Sequence, residues 1–169
     1  MPEQKLRVLT AMSGGVDSSV AALLLMQQGF DITGATLKLF SNEDIGLDAS
    51  LGTCCSLADT EDARRVAYRL GFEHYVFNFA VPFKKEVMER FACAYACGDT
   101  PNPCIDCNRY IKFSRLLERA LLMDMDAIAT GHYARVAYDE NKGRYLLKKA
   151  VDVSKDQSYV LYAMTQEQL

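Results

Sequence analysis

Ala11-Met12-Ser13-Gly14-Gly15-Val16-Asp17-Ser18-Ser19 is the stretch that decides how this chain is read. On its N-terminal side, Leu6-Arg7-Val8-Leu9-Thr10 is apolar and partly β-branched, which predicts a short buried strand. On its C-terminal side, Val20-Ala21-Ala22-Leu23-Leu24-Leu25-Met26 predicts a helix. The motif is therefore a strand, a tight Gly-Gly turn and a helix N-terminus. Such a turn presents unpaired backbone N–H groups and the positive end of a helix dipole. Gly14 and Gly15 let the backbone approach an anion closely, and Ser13, Ser18 and Ser19 add hydroxyl donors. The arrangement reads as a cradle for phosphate or pyrophosphate. It lacks the Gly-Lys-Ser/Thr ending of a Walker A loop and the glycine spacing of a dinucleotide fingerprint.

Outward from this loop, Gly29 and Asp31 stop the first helix, and Ile32 to Phe40 predicts a second strand. Strand, helix and strand at this length form a βαβ unit with parallel strands. The fold class that follows is α/β, a Rossmann-like parallel sheet with flanking helices. Ligands of such sheets sit beyond the C-terminal strand ends, so the second strand's end near Leu37 is the natural place for a base or ribose contact. Ser41 to Ser56 reads as a long acidic loop ending in Cys54-Cys55, for which packing or a loop role is expected. Asp59-Thr60-Glu61-Asp62 opens a helix that Gly71 closes. His74 to Phe79 predicts a third strand, with His74 as a surface or capping residue. Val81 to Cys97 predicts a long helix with Val87, Met88, Phe91 and Tyr95 buried, and with Cys93 and Cys97 on one packed face. Asp126 to Tyr133 predicts a fourth strand running into a turn, where Gly131 lets the backbone approach a ligand and His132 serves as a hydrogen-bonding brace. Val136–Tyr138 and Tyr145–Leu147 flank a hairpin turn, and Val160 to Met164 reads as helical.

The second cluster is Gly98-Asp99-Thr100-Pro101-Asn102-Pro103-Cys104-Ile105-Asp106-Cys107-Asn108. Its two prolines predict an extended, non-helical backbone, followed by a helix over 110–122 with Ile111, Phe113, Leu116 and Leu117 inward. Cys107 then falls near a helix N-terminus and beside Arg109 and Lys112, surroundings that favour a nucleophilic thiolate. Cys104-x-x-Cys107 taken alone has three readings: a redox pair, half a metal site, or an incidental spacing. A thioredoxin-like context is missing, and no second spaced pair completes a zinc site. An iron–sulfur cluster on Cys104, Cys107 and one further ligand stays open.

The length of 169 residues suits one domain with a real core. Hydrophobic residues make up 50% and charged residues 24%, a globular mix rather than a disordered one. No apolar run reaches the roughly 18 residues that span a bilayer, and Met1-Pro2-Glu3-Gln4-Lys5 carries no signal-peptide core. The expectation is a cytoplasmic protein, whose six cysteines are reduced rather than a disulfide framework. The net charge of −3 argues against strong non-specific nucleic-acid binding. Basic residues gather late, however, at Arg109, Lys112, Arg115, Arg119, Arg135, Arg144, Lys148, Lys149 and Lys155, which reads either as a local patch for a nucleic acid or as solvated helix faces.

Ser-Gly-Gly-x-Asp-Ser resembles the pyrophosphate loop of the PP-loop ATP pyrophosphatases, which split ATP into AMP and pyrophosphate. Five motifs occur in order: Ser-Gly-Gly-Val-Asp-Ser-Ser, Thr-Pro-Asn-Pro-Cys-Ile-Asp-Cys-Asn, Ile-Lys-Phe, Ala-Thr-Gly-His-Tyr-Ala-Arg and Lys-Asp-Gln-Ser-Tyr. Together they resemble the N-terminal catalytic domain of the tRNA-specific 2-thiouridylases, the MnmA/TrmU family, over nearly the whole chain. The resemblance implies an adenine nucleotide alpha hydrolase-like fold over 1–169, with central and C-terminal β-barrel tRNA-binding domains beyond. It implies ATP with Mg²⁺, adenylation of the C2 oxygen of the wobble uridine in tRNA, and sulfur transfer from a cysteine persulfide. By the family pattern Ala11, Met12, Ser13, Gly14, Gly15, Val16, Asp17, Ser18, Leu37 and Gly131 bind ATP, with Asp17 near the Mg²⁺-bound phosphates. Asn102, Pro103 and Cys104 touch the target base, Cys107 is the nucleophile, and Lys155, Asp156 and Gln157 contact tRNA. A sulfur-relay or persulfide donor protein is the implied partner, and a second, persulfide-carrying cysteine is expected beyond Leu169. Two positions depart from the pattern: Cys104 stands where many members have Asp, and Asp99 where a basic residue is common. The alternatives are another PP-loop ATP pyrophosphatase and a nucleotide-binding module without chemistry.

Overall fold

The computed structural model describes residues 5–40 and 57–169. The acidic loop expected over 41–56, with Cys54 and Cys55, lies outside the described residues. The chain divides into two compact units, Met1–Lys84 with Leu116–Gly131, and Lys85–Arg115 with His132–Leu169.

The first unit is built on a parallel sheet. Its strands are β1 (Arg7–Ala11), β2 (Asp31–Lys38), β3 (His74–Asn78) and β4 (Ala127–Ala129), in the spatial order β3-β2-β1-β4. The expected α/β fold class is what the structure has. Val8, Leu9, Ile32, Ala35 and Leu37 are buried, as strands covered on both faces require. Helix α1 (Val16–Gln27) joins β1 to β2, and α2 (Leu57–Leu70) leads to β3. α1 starts at an extended Gly15 and α2 carries Asp59 in its first turn, where the helix dipole favours acid. The sheet runs outward from β1 in both directions, through β2 to β3 and across to β4. β1 and β4 therefore flank a topological switch point, which in parallel sheets is where a ligand crevice opens beyond the strand ends. The β4 end is pinned from below: Arg7 N–H donates to Asp126 Oδ2 at 2.7 Å, and Asp126 N–H donates to the Arg7 carbonyl at 2.8 Å.

The second unit contains an antiparallel hairpin, β5 (Ala134–Asp139) with β6 (Arg144–Lys149). Its turn is held by Asp139 Oδ1, which accepts from the N–H groups of Asn141 and Lys142. Tyr138 and Tyr145 face each other edge-on with centroids 5.1 Å apart. Val87, Ile111, Phe113, Val160 and Leu161 are buried here.

Two helical runs depart from the expected α-helices. The run over 80–96 is α-helical at Ala80–Phe83, π-helical at Lys84–Met88 and α-helical again at Glu89–Ala96. The run over 103–122 is α-helical at Pro103–Asp106, π-helical at Cys107–Leu116 and α-helical at Leu117–Leu122. A π-turn has i→i+5 hydrogen bonds, so residues five apart share a face. Ile111 and Leu116 are accordingly both fully buried, whereas an α-helix would turn them apart. The expected burial of Phe91 and Tyr95 does not hold: Phe91 is 37% and Tyr95 69% exposed, and they stack on each other at 6.1 Å. The π segment resets the helical phase after Val87, which is the residue that does go inside. Cys93 and Cys97 are exposed free thiols rather than packed ones.

Candidate functional site

In the first unit, Met12 leads out of β1 into the glycine turn. Its N–H donates to the Ala35 carbonyl at 2.8 Å, and its carbonyl accepts from Thr36 Oγ1 at 2.9 Å. The loop is then tied internally. Ser13 N–H donates to Ser18 Oγ at 3.2 Å, and the Ser18 hydroxyl donates to the Gly15 carbonyl at 3.1 Å. Ser19 Oγ also donates to the Gly15 carbonyl, at 2.9 Å. The hydroxyl protons of Ser18 and Ser19 therefore shape the turn, where the sequence suggested donors for an anion. Ser13 Oγ lies 3.4 Å from Ser18 Oγ and is exposed, as are Gly15, Val16 and Asp17. Among the described residues, no side chain caps the start of α1. An uncapped helix start with an exposed glycine backbone is electrostatically suited to a phosphate group.

Two glycines make this geometry possible. Gly14 has φ +80°, and a Cβ there would sit on the Asp59 carbonyl oxygen. At the end of β4, a Cβ on Gly131 would lie 2.8 Å from Ser18 N and 3.0 Å from Asp17 C. Gly131 thus abuts the first turn of α1, so the structure brings Ala11 to Ser18 and Gly131 together at the switch point. Leu37 is buried at the C-terminal end of β2, two residues beyond Ala35, which pairs with Ala11. A cleft of about 570 Å³ borders the loop at Gly14 and Gly15 and runs past Val20, Arg65 and Arg69. Arg65 Nη1 there pairs with Asp62 Oδ1 at 3.1 Å.

In the second unit, the backbone expected to be extended over 98–108 is helical from Pro103. The reason is the placement of the prolines. Pro103 occupies the first helical position, where its missing N–H costs nothing, and Asn102 is the N-cap, its Oδ1 accepting from Cys104 N–H at 3.0 Å. Asn102, Pro103 and Cys104 are exposed, and Cys107 is half-buried one turn further on. Asp106 accepts from Arg90 Nε at 3.1 Å, and Arg90 and Arg109 lie 5.0 Å and 5.1 Å from the Tyr110 ring centre. Sequence reading passed over Asn108, which is 2% exposed and whose Nδ2 donates to the Val160 carbonyl at 3.3 Å. That bond ties the Cys107 helix to the turn that follows Lys155-Asp156-Gln157. Within that triplet Lys155 is exposed. Asp156 Oδ1 accepts from Ala150 N–H at 2.7 Å, and Asp156 Oδ2 accepts from the Ser158 hydroxyl at 2.8 Å. Gln157 exchanges two bonds with Tyr133: Tyr133 N–H donates to Gln157 Oε1 at 3.0 Å, and Gln157 N–H donates to the Tyr133 carbonyl at 2.9 Å. Asp156 and Gln157 are thus braces of their own unit.

His132 stacks obliquely on Phe113 at 6.2 Å, and burial, with Lys112 nearby, pushes its pKa down to about 4. It is neutral at physiological pH and suits a bracing role better than that of a charged ligand. Among the described residues, no three His, Cys, Asp or Glu side chains gather to hold a metal ion. The iron–sulfur cluster left open by the cysteine spacing finds no ligand set there. No described helix is long and apolar enough to cross a membrane.

Residues 6–169 match the profile of the tRNA methyl transferase HUP domain family. The chain belongs to that family. It is 55% identical over 163 residues to a protein of Thermoanaerobacter sp. (strain X514) named tRNA-specific 2-thiouridylase MnmA 1, covering 96% of this chain and 45% of that one. The protein named tRNA-specific 2-thiouridylase MnmA of Acetivibrio thermocellus is 53% identical over 165 residues, covering 98% of this chain and 46% of that one. The chain thus spans about half the length of the curated relatives it matches. The resemblance to 2-thiouridylases carried by the five motifs is borne out by these relatives. A solved structure described as a predicted subunit of tRNA methyltransferase from Methanocaldococcus jannaschii matches at a TM-score of 0.45 with 22% identity, covering 75% of this chain and 52% of that one.

Proposed function

We propose that this chain is the nucleotide-activating and sulfur-transferring part of an enzyme that 2-thiolates the wobble uridine of tRNA. The observation that carries the reading is the identity of 53–55% to proteins named 2-thiouridylases across 96–98% of the chain. The geometry supports it in both units. In the first, Ala11 to Ser18 and Gly131 cradle the phosphates of ATP, Leu37 borders the nucleoside, and the exposed Asp17 stands beside the phosphates, where Mg²⁺ would be held. Bound Mg²⁺ would screen phosphate charge during attack. In the second, Asn102, Pro103 and Cys104 offer an exposed surface to the base, and Cys107 is the thiol one turn away. Lys155 meets the tRNA backbone, held in place by Asp156 and Gln157.

The chemistry balances. The uracil C2 oxygen attacks the α-phosphorus of ATP and pyrophosphate leaves. The terminal sulfur of a cysteine persulfide then attacks C2, and AMP departs with the original oxygen. A second thiolate cleaves the remaining S–S bond, which frees the 2-thiouridine and leaves a disulfide between the two cysteines. Cys107 supplies one of these sulfurs, and the persulfide reaches the enzyme from a sulfur-relay protein in the cytoplasm. Adenylation makes a poor leaving group a good one, and a persulfide is the soft nucleophile that the exchange needs. A methyl transfer, which the family's description names, would have no use for a pyrophosphate loop.

The test is nucleoside mass spectrometry of unmodified tRNA incubated with the full-length protein, ATP, Mg²⁺ and a protein persulfide donor. A wobble 2-thiouridine that disappears in Cys107→Ser, with ATP binding unchanged, is the expected result. No thiolated product while ATP is still bound and cleaved would favour a different PP-loop pyrophosphatase. ATP bound but never cleaved would favour a binding module.

A further inference from the structure

His74 opens β3, two strands away from the phosphate loop, yet it is connected to that loop through β2. Thr36 Oγ1 lies 2.9 Å from His74 Nε2 and 2.9 Å from the Met12 carbonyl. A carbonyl can only accept, so the single hydroxyl proton of Thr36 is committed to Met12. Thr36 Oγ1 must then accept from His74, which requires the proton on Nε2. In the neutral ring Nδ1 is consequently a bare lone pair, and it is buried with no partner among the described residues. Protonation would place an N–H there with no acceptor among the described residues. Burial and the Arg64 guanidinium both lower the His74 pKa, partly offset by Glu61. Arg64 and Glu61 lie on α2 and pair with each other. The ring is held by packing as well: a Cβ on Gly34 would meet His74 Cδ2, Met12 Sδ and Phe72 Cε2, each at 3.0 Å. Thr36 itself is 2% exposed, so water does not compete for its hydroxyl.

We propose that His74 is a positioning residue for the phosphate loop, acting as the neutral Nε2–H tautomer through Thr36 on the Met12 carbonyl. Met12 is the last residue before Ser13-Gly14-Gly15, so the orientation of its peptide sets where the loop's N–H groups point. The inference rests on the reading of that loop as the pyrophosphate site, which the same experiment checks separately.

Calorimetry with two probes, inorganic pyrophosphate and adenosine, tests it on the full-length protein. His74→Leu removes one bond of the relay and Thr36→Val removes both, and each should weaken pyrophosphate binding roughly 5- to 10-fold. Their combination should be no worse than Thr36→Val alone, because His74 acts only through the Thr36 hydroxyl. Adenosine binding should not change. His74→Gln, whose amide N–H reaches the place of Nε2–H, should restore pyrophosphate affinity to within about twofold of wild type. The ¹⁵N resonances of the His74 ring report the tautomer directly, and Nδ1 should be unprotonated in the wild type. Pyrophosphate affinity unmoved in Thr36→Val, or an Nδ1–H tautomer, would overturn the proposal. Equal losses for pyrophosphate and adenosine would also overturn it, since they indicate general damage. Wild-type protein that binds no pyrophosphate would overturn the reading of the loop itself.

Discussion

At the scale of single residues, the site depends on side chains that are absent or uncharged. Gly131 has no room for a methyl group against the backbone of Asp17 and Ser18. Gly131→Ala should cost about 1–3 kcal/mol in thermal unfolding and weaken ATP binding, because backbone rather than a pliable side chain must move. Gly14→Ala should cost at least as much, since left-handed φ strain adds to the clash with Asp59. His132, with its pKa near 4, is neutral in the fold, while in the unfolded chain it titrates near 6.5. Its folded pKa is lowered, so the unfolded state takes up protons first as pH falls. Stability is then complete above about pH 6.5 and is lost as pH drops toward 4, by about 2 kcal/mol at pH 5 as an upper bound. Urea unfolding at pH 7.5 and 5 should show this loss, and His132→Phe should reduce it. His74 adds to the loss with the same sign, because its pKa is also lowered. The types and order of Ser13 to Ser18 were readable because an anion loop restricts composition directly. The inward use of the Ser18 and Ser19 hydroxyls was not, because nothing local says which acceptor a hydroxyl will find.

At the scale of elements, helix and strand positions followed from periodicity, but helix type did not. Apolar spacing cannot separate an α-turn from a π-turn over one or two turns, since both repeat every three to five residues. The difference has an energetic consequence in the 80–96 helix. Val87 is 1% exposed and Phe91 37%, so Val87→Ala should cost about 1–3 kcal/mol while Phe91→Ala stays under about 1, the reverse of the order their sizes suggest. Paired denaturant melts of the two variants would decide it. The 103–106 turn carries the same lesson. Asn-Pro marks a break to a reader of sequence, yet here it is an N-cap followed by an N1 proline, the start of the helix that holds Cys107.

At the scale of the whole molecule, charge is unevenly distributed. The first unit carries 13 acidic and 8 basic residues, whereas the second carries 9 acidic and 11 basic ones, among them Arg135, Arg144, Lys148, Lys149 and Lys155. Under the proposed function, tRNA binding should weaken as salt rises, because each phosphate contact releases a condensed cation. Lys155→Ala should lower the salt slope by about 1 without changing which tRNA is modified, as a backbone contact carries no sequence information. Affinity measured across a salt series would show this, and an unchanged slope would remove Lys155 from the interface.

By itself, the sequence determined the α/β class, the order of strands and helices and the identity of the loop and cysteine motifs. Those follow from local patterns of hydrophobicity, glycine and proline, which act between neighbours along the chain. Tertiary structure alone decided that β4 lies beside β1, which sets Gly131 against the start of α1. It alone decided that Thr36 and His74 brace Met12, that Asn108 is buried, and that Asp156 and Gln157 hold their own backbone. These contacts join residues 24 to 119 positions apart or depend on which donor reaches a buried acceptor first. Hydrogen bonds of that kind are set by geometry in three dimensions, and no period of the sequence encodes them.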